Sequence, residues 1–235
     1  MKIKAYRIKI SGNWGHFRRP ETNNNPISFD FIPKTALIGL IAATIGLNRK
    51  QLKIMYSDLC TNILYSVRLL NPISKLSHSF RIYKYKGDLM NIVYPPQAYE
   101  LLKLPAFEVI LAGTSDVLNK FIDYVKSNKA IYTPTLGLIN CPAELEFIEE
   151  LELEEKKQLD KIMTLGLIPK ESKVIIDQNV AVSYDEIPIS QDNNWKNNKT
   201  QSVYYSYSKY NKGVTVINVT SIYYEKVSKE WWFLI

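Results

Sequence analysis

The chain has 235 residues, a formal net charge of +7 and 46% hydrophobic residues, enough for one large domain or two small ones and too apolar for a disordered chain. Its two cysteines and two histidines match no zinc-ligand spacing, so two buried free thiols and no metal cofactor are expected. The longest apolar run, Ala36–Leu47, is interrupted by Gly39, Thr44 and Gly46 and falls short of the roughly 20 residues that span a bilayer. Met1 leads directly into strand-like sequence without a signal-peptide core. A cytoplasmic chain without membrane contact is expected.

Charge is unevenly distributed. Residues 1–129 hold 19 Lys/Arg and 8 Asp/Glu, a net of +11, whereas residues 130–235 hold 11 Lys/Arg and 15 Asp/Glu, a net of −4. A basic first half suits a polyanionic partner, or serves only as a solubilising surface.

In chain order, Lys2–Ser11 alternates cations with Ile3, Ala5, Ile8 and Ile10 and slips near Tyr6; it predicts a strand with a basic edge or face. Gly12–Ile32, with Gly, Pro and four Asn, predicts a long loop. Pro33 suits the first turn of a helix reaching Leu47, apolar nearly all round and therefore buried. A short helix over Arg49–Asp58 and a strand over Ile63–Leu70 follow. Pro72–Pro105 has weak periodicity and many cations and rings, which predicts a protruding β-hairpin. Phe107–Ala112 predicts a strand. Asp116–Lys126, with Val117, Leu118, Phe121, Ile122 and Val125, predicts an amphipathic helix. A turn-rich link then leads to a bulged strand with an acidic face over Glu144–Leu153.

The resulting order, β–α–β–arm–β–α–β, is that of the split βαβ or ferredoxin-like unit. The expected architecture is α+β: a ferredoxin-like domain over residues 1–155 with a protruding β-hairpin arm at about 73–105, then a small β-rich C-terminal domain over 156–235. In that second part, strands are predicted at Val174–Asp177, Val180–Ser183, Val203–Ser208, Val214–Val219 and Ser221–Val227, with an Asn-rich loop at Asp192–Thr200.

Several groups could carry chemistry. Trp14, His16, Phe17, Arg18 and Arg19 combine ring faces with guanidinium forks, suited to single-stranded nucleic acid, or are loop anchors with solvated arginines. The helix start at Pro33, Lys34 and Thr35 could hold an anion, or is simply capped. It lacks the GxxxxGK[ST] pattern of a nucleotide-hydrolysing loop. Lys75, His78, Phe80, Arg81, Tyr83, Lys84, Tyr85 and Lys86 interleave rings and cations on the hairpin, as a backbone-tracking surface or as cross-strand pairs. His16 and His78 are the only histidines available for acid–base catalysis. The Glu144–Glu155 run reads as a solvated strand face. Gly137, in Tyr132–Gly137, marks a close approach, either of an RNA backbone or within a tight turn.

The segments GNWGHFRRPETN, FIPKTALIGLIAATIGL and YTPTLGLINCPAEL, in this order over about residues 1–150, resemble the Cas five family. These proteins are subunits of type I CRISPR surveillance complexes (Cascade) within the RAMP superfamily. The HFRRPETNNNP loop is most similar to the subtype I-B branch. The resemblance implies a ferredoxin-like domain with a thumb and a role in antiviral defence, capping the 5′ handle of the guide (crRNA). It also implies contacts with the backbone subunit and the large subunit, and only indirect contact with target DNA. The residues it points to for RNA binding are Trp14, His16, Phe17, Arg18, Arg19, Lys34, Thr35, Arg81, Lys84 and Lys86. One branch of the family is a metal-independent ribonuclease that uses tyrosine, lysine and histidine. No adjacent Lys-His pair stands at the matching place here, so a non-catalytic subunit is expected, with endoribonuclease and purely structural subunit as alternatives.

Overall fold

The computed structural model describes residues 1–22, 25–80, 83–86, 89–93, 96–175, 180–191, 198–207 and 213–235, with backbone alone over 83–86 and 89–93. The first strand, β1 (Lys2–Ser11), lies at the middle of the main sheet. Its apolar residues change faces between Ala5 and Tyr6 because both faces of the sheet are covered. Tyr6, Ile8 and Ile10 join the helix-side core, while Ile3 and Ala5 pack on the other side with Trp232. The slip in alternation near Tyr6 has this origin.

After the two-residue strand β2 (Trp14–Gly15) come helices α1 (Lys34–Ile45) and α2 (Arg49–Asn62). Helix α1 starts on Pro33, whose side chain makes no cap hydrogen bond, and ends at Gly46 in the left-handed region (φ 83°). Asn48 and Gln51 form a reciprocal capping box that starts α2. Strand β3 (Leu64–Leu69) follows, then four further strands: β4 (Lys75–Phe80), β5 (Tyr83–Lys86), β6 (Leu89–Val93) and β7 (Gln97–Lys103). β4 pairs antiparallel with β7 and β5 with β6, giving a nested hairpin. Strand β8 (Ala106–Ala112), buried at every residue, precedes α3 (Asp116–Lys126), which Ser115 caps.

Strand β9 (Glu144–Thr164) is 21 residues long, twice the expected Glu144–Leu153. Its first half pairs with β1 and its second half with β14 (Val214–Glu225). The expected domain boundary at 155/156 falls inside this one strand, at the point where its partner changes. The remaining strands are β10 (Ile168–Pro169), β11 (Lys173–Ile175), β12 (Val182–Gln191), β13 (Asn198–Ser206) and β15 (Glu230–Trp232). The main sheet runs β11-β14-β9-β1-β8-β3, with β15 on β14, and its neighbours are antiparallel. The two strands expected at Val214–Val219 and Ser221–Val227 are one strand.

A second sheet, β10-β13-β12, covers α1 and α2. Ile187, Val203 and Tyr205 enter the same core cluster as the helices, so this sheet closes the first half of the chain. Tyr205 donates a 2.6 Å hydrogen bond to Asp30 in the 12–32 loop. Both cysteines are buried and unpaired.

The acidic run on β9 neutralises β1. Glu150 sits 2.8 Å from Lys4 and Glu146 3.2 Å from Lys9, with Glu152 on Lys2. The charge asymmetry of the sequence is thus partly cancelled within the fold. On the face opposite the helices, Arg7 and Arg68 share Glu230 (2.6 and 2.8 Å) and Glu108 (3.8 and 2.6 Å), beneath the fully buried Trp232 ring.

Candidate functional site

The 12–32 segment is not an open loop. It folds back on itself: Phe29 N–H donates to the Phe17 carbonyl (2.8 Å), Phe17 N–H to Ser28 Oγ (2.9 Å) and Arg19 N–H to the Ile27 carbonyl (2.9 Å). The turn at residues 135–142 braces it, with His16 N–H donating to the Leu136 carbonyl at 2.8 Å. Gly137 (φ 92°) is required there because a Cβ would stand 1.8 Å from the His16 carbonyl oxygen. The close approach inferred for this glycine is made by the protein's own backbone.

This folding sorts the predicted contact residues. Phe17 is a core residue, 3% exposed, against Phe107 at 6.2 Å. His16 is 2% exposed, its Nδ1 lying 2.8 Å from the Glu100 carbonyl. Arg19 is committed to Asp185 of β12, with Nη1 2.9 Å from Oδ1 and Nη2 on Oδ2, and its guanidinium lies 4.5 Å over the Phe29 ring. An Arg19→Ala change therefore strands a buried carboxylate, so Arg18 alone is the clean probe of this loop. Arg18 is exposed and donates from Nη2 to the Thr22 carbonyl at 2.8 Å. Trp14 is half-buried, beside Leu76, His78 and Phe80 of the hairpin. Lys75 is held by Asp30 (2.7 Å) and Glu100 (2.8 Å). Arg81 and the side chains of Lys84 and Lys86 lie outside the described residues.

Lys34 is 4% exposed, and its Nζ donates to the Ile235 carbonyl at 3.1 Å. It is thus an interior group and not a surface cation at the helix start. Burial pushes its ammonium down to about 8, the Cys60 thiol opposing only weakly. In the unfolded chain the amine titrates near 10.5. Between these values the unfolded state binds more protons, so this group's contribution to stability rises with pH; below pH 8 both states are charged and the burial penalty is constant. Lys34→Met is expected to stabilise the protein at pH 7 by about 1–3 kcal/mol, and the gap should narrow at pH 9.5. Urea unfolding of both proteins at the two pH values checks this; a gap independent of pH contradicts it.

Around the buried loop lies a cleft of about 480 Å³, lined by His16, Arg18 and Phe29 of the loop, Thr35 and Gly39 of α1, Leu52 and Tyr56 of α2, Tyr99 of β7, Leu138, and Pro188 of β12. Rings lead away from it along the hairpin. His16 and Tyr99 are 5.3 Å apart, Tyr99 and Phe80 5.3 Å, and Phe80 and His78 4.8 Å, all edge-to-face. The exposed cations Arg49, Lys50 and Lys53 occupy the first turns of α2, with Arg49 one turn before Leu52 on the same face. Tyr99 and Arg49 escaped the sequence reading. Tyr99 becomes legible only from the β4–β7 register that sets it opposite His78. Arg49 gains meaning only once Leu52 is seen in the cleft.

Among the described residues, no three His, Cys, Asp or Glu side chains converge as a metal site, and no helix is long and apolar enough to cross a membrane.

A sheet crossed by two helical connections, with a ring-bearing hairpin and a cleft beside it, defines a mixed α/β protein. The profile of the family described as CRISPR-associated protein (Cas_Cas5) matches residues 5–216. The chain belongs to this family. Its fold is similar to that of a chain in a "CRISPR RNA-guided surveillance complex", with 14% identity, a TM-score of 0.57 and coverage of 92% of this chain and 91% of that one. It is also similar to a CRISPR protein from Archaeoglobus fulgidus, with 12% identity, a TM-score of 0.60 and coverage of 97% and 98%. A search of curated proteins returned no match.

Proposed function

We propose that this chain is a non-catalytic, cytoplasmic subunit of a type I CRISPR effector complex that binds and caps the 5′ handle of the guide RNA. Family membership over residues 5–216 supports a place in CRISPR defence. The observation that carries the RNA reading is the unbroken series of rings from His16 through Tyr99 and Phe80 to His78, flanked by the exposed Arg18. Of these rings His78 is exposed and Phe80 and Tyr99 are half-buried, so they offer a face or edge to an unstacked base while His16 anchors the series from inside; base–aromatic stacking contributes about 1–3 kcal/mol per base. The β9-β1-β8-β3 order, with α1–α2 and α3 as crossovers, supports a ferredoxin-like RAMP unit, and the β4–β7 hairpin supports a thumb. Contacts with a backbone subunit and a large subunit belong to the same proposal.

The direct test is an electrophoretic shift of end-labelled CRISPR repeat RNA, in chelator, beside a scrambled RNA. A shifted, intact repeat RNA is the expected result. Cleavage at one position would replace the proposal with a metal-independent endoribonuclease; equal binding of both RNAs would remove handle recognition. Arg18→Ala is expected to weaken binding several-fold and to flatten the log–log salt dependence by about 0.7, the value of one phosphate contact on a single strand. Filter binding between 50 and 200 mM salt measures it, and an unchanged slope removes Arg18 from the phosphate path.

A further inference from the structure

Gly39 has no structural reason to be glycine. It lies in the interior of α1, where glycine is less favourable than alanine. A Cβ built on it meets nothing within 4 Å, whereas every other glycine among the described residues has a neighbour within 3.3 Å of that position. No close packing among the described residues explains the glycine; what it does is leave one wall of the 480 Å³ cleft bare.

The same cleft contains an unmet hydrogen-bonding group. His16 lines it at 2% exposure. The Glu100 carbonyl, 2.8 Å from Nδ1, can only accept, so Nδ1 carries the proton and Nε2 keeps a lone pair. Burial lowers the affinity of the ring for a second proton. Nε2 is buried and has no partner among the described residues. Such a group calls for a donor. A phosphate would meet lone pair against negative charge, and a wholly apolar occupant would leave Nε2 unpaired. Phe29, Leu52, Leu138 and Pro188 supply apolar walls, Thr35 at the helix start, Gln191 of β12 and Asn198 of β13 add polar groups, and Tyr99 joins His16 to the rings of the hairpin.

We propose that this cleft takes one unstacked nucleobase of the bound RNA, with a base N–H donated to His16 Nε2. The flanking phosphates then lie at the rim, within reach of Arg18 and of Arg49 on the cleft-facing side of α2. A cleft of about 480 Å³ has room for one base together with its sugar. The inference rests on the RNA-binding reading above and adds to it a specific subsite.

The test pairs a protein variant with base removal. Gly39→Met fills the cleft from a position with open space, and Gly39→Ala is the control. Both should melt at or above the wild-type temperature, because each removes a helix-interior glycine. Affinities of wild type and Gly39→Met are measured for handle RNA in which one base at a time is replaced by an abasic site. The expected result is a roughly tenfold loss for Gly39→Met on intact RNA and a similar loss for wild type at one abasic position. At that position the variant should show no further loss. Wild-type affinity in Gly39→Met, or losses that multiply at every position, would overturn the base pocket while leaving RNA binding in place. A wild-type protein that binds no intact handle RNA would overturn the RNA reading and the pocket with it.

Discussion

Gly137→Ala is expected to destabilise the protein by at least about 3 kcal/mol. Its φ of 92° disfavours any side chain, and the new Cβ would lie 1.8 Å from the oxygen and 2.9 Å from the carbon of the His16 carbonyl group. Both are backbone atoms fixed on either side: His16 N–H is bonded to the Leu136 carbonyl, and Leu136 N–H is bonded to the Cys141 carbonyl. Neither strand of this contact can retreat without opening the other. Urea unfolding of Gly137→Ala beside Gly39→Ala measures the difference directly. The first loses stability, and the second, in open space, gains about 0.5–1 kcal/mol from helix propensity. A loss under 1 kcal/mol at Gly137 would contradict the contact. Because Gly137 sets the position of His16, any folded Gly137→Ala protein should also lose RNA affinity.

Glu230→Ala is the second large effect, expected at about 3–5 kcal/mol. Arg7 and Arg68 have side chains only 8% and 11% exposed, and each takes one carboxylate oxygen of Glu230, at 2.6 and 2.8 Å. Both guanidiniums also lie against the Trp232 ring, with centroids 5.8 and 5.6 Å away. Removing Glu230 leaves two buried cations to share Glu108 and the half-exposed Glu149. The exposed pair of Lys2 and Glu152 supplies the control, since solvent screening leaves its loss with little effect on stability. Chemical denaturation of Glu230→Ala and Glu152→Ala decides it; equal, small effects would show that the buried network holds nothing together.

The elements that follow a simple pattern were legible in the sequence. α3 has the bounds its apolar spacing predicts, and α1 matches to within two residues, because one face or the whole surface is apolar. The second half of β9 was not legible. There the strand leaves β1 and pairs with β14, so Lys156, Lys157 and Lys161 face solvent and the alternation survives only at Leu159 and Ile162. The site failed to read for a different reason. His16 and Phe17 stand in a polar loop and Lys34 opens a helix, so all three look exposed, yet they are buried by partners distant in sequence: Glu100 on β7, the core around Phe107, and the Ile235 carbonyl. Arg19 reads in sequence as a free cation of the loop because its partner, Asp185, lies 166 residues away. Gly39 looks like any helix glycine until the space beside it is seen.

The central claim, that the ring-lined face receives the guide handle, is tested most directly by photocrosslinking. A guide RNA carrying 4-thiouridine at each handle position in turn is assembled into the effector complex, and the crosslinked peptides of this subunit are mapped. The account predicts crosslinks in the 97–103 strand at Tyr99, at Phe80 and His78, and in the peptide bearing Arg18. Crosslinks confined to the β9–β14 ribbon, or none to this chain at any handle position, would contradict it.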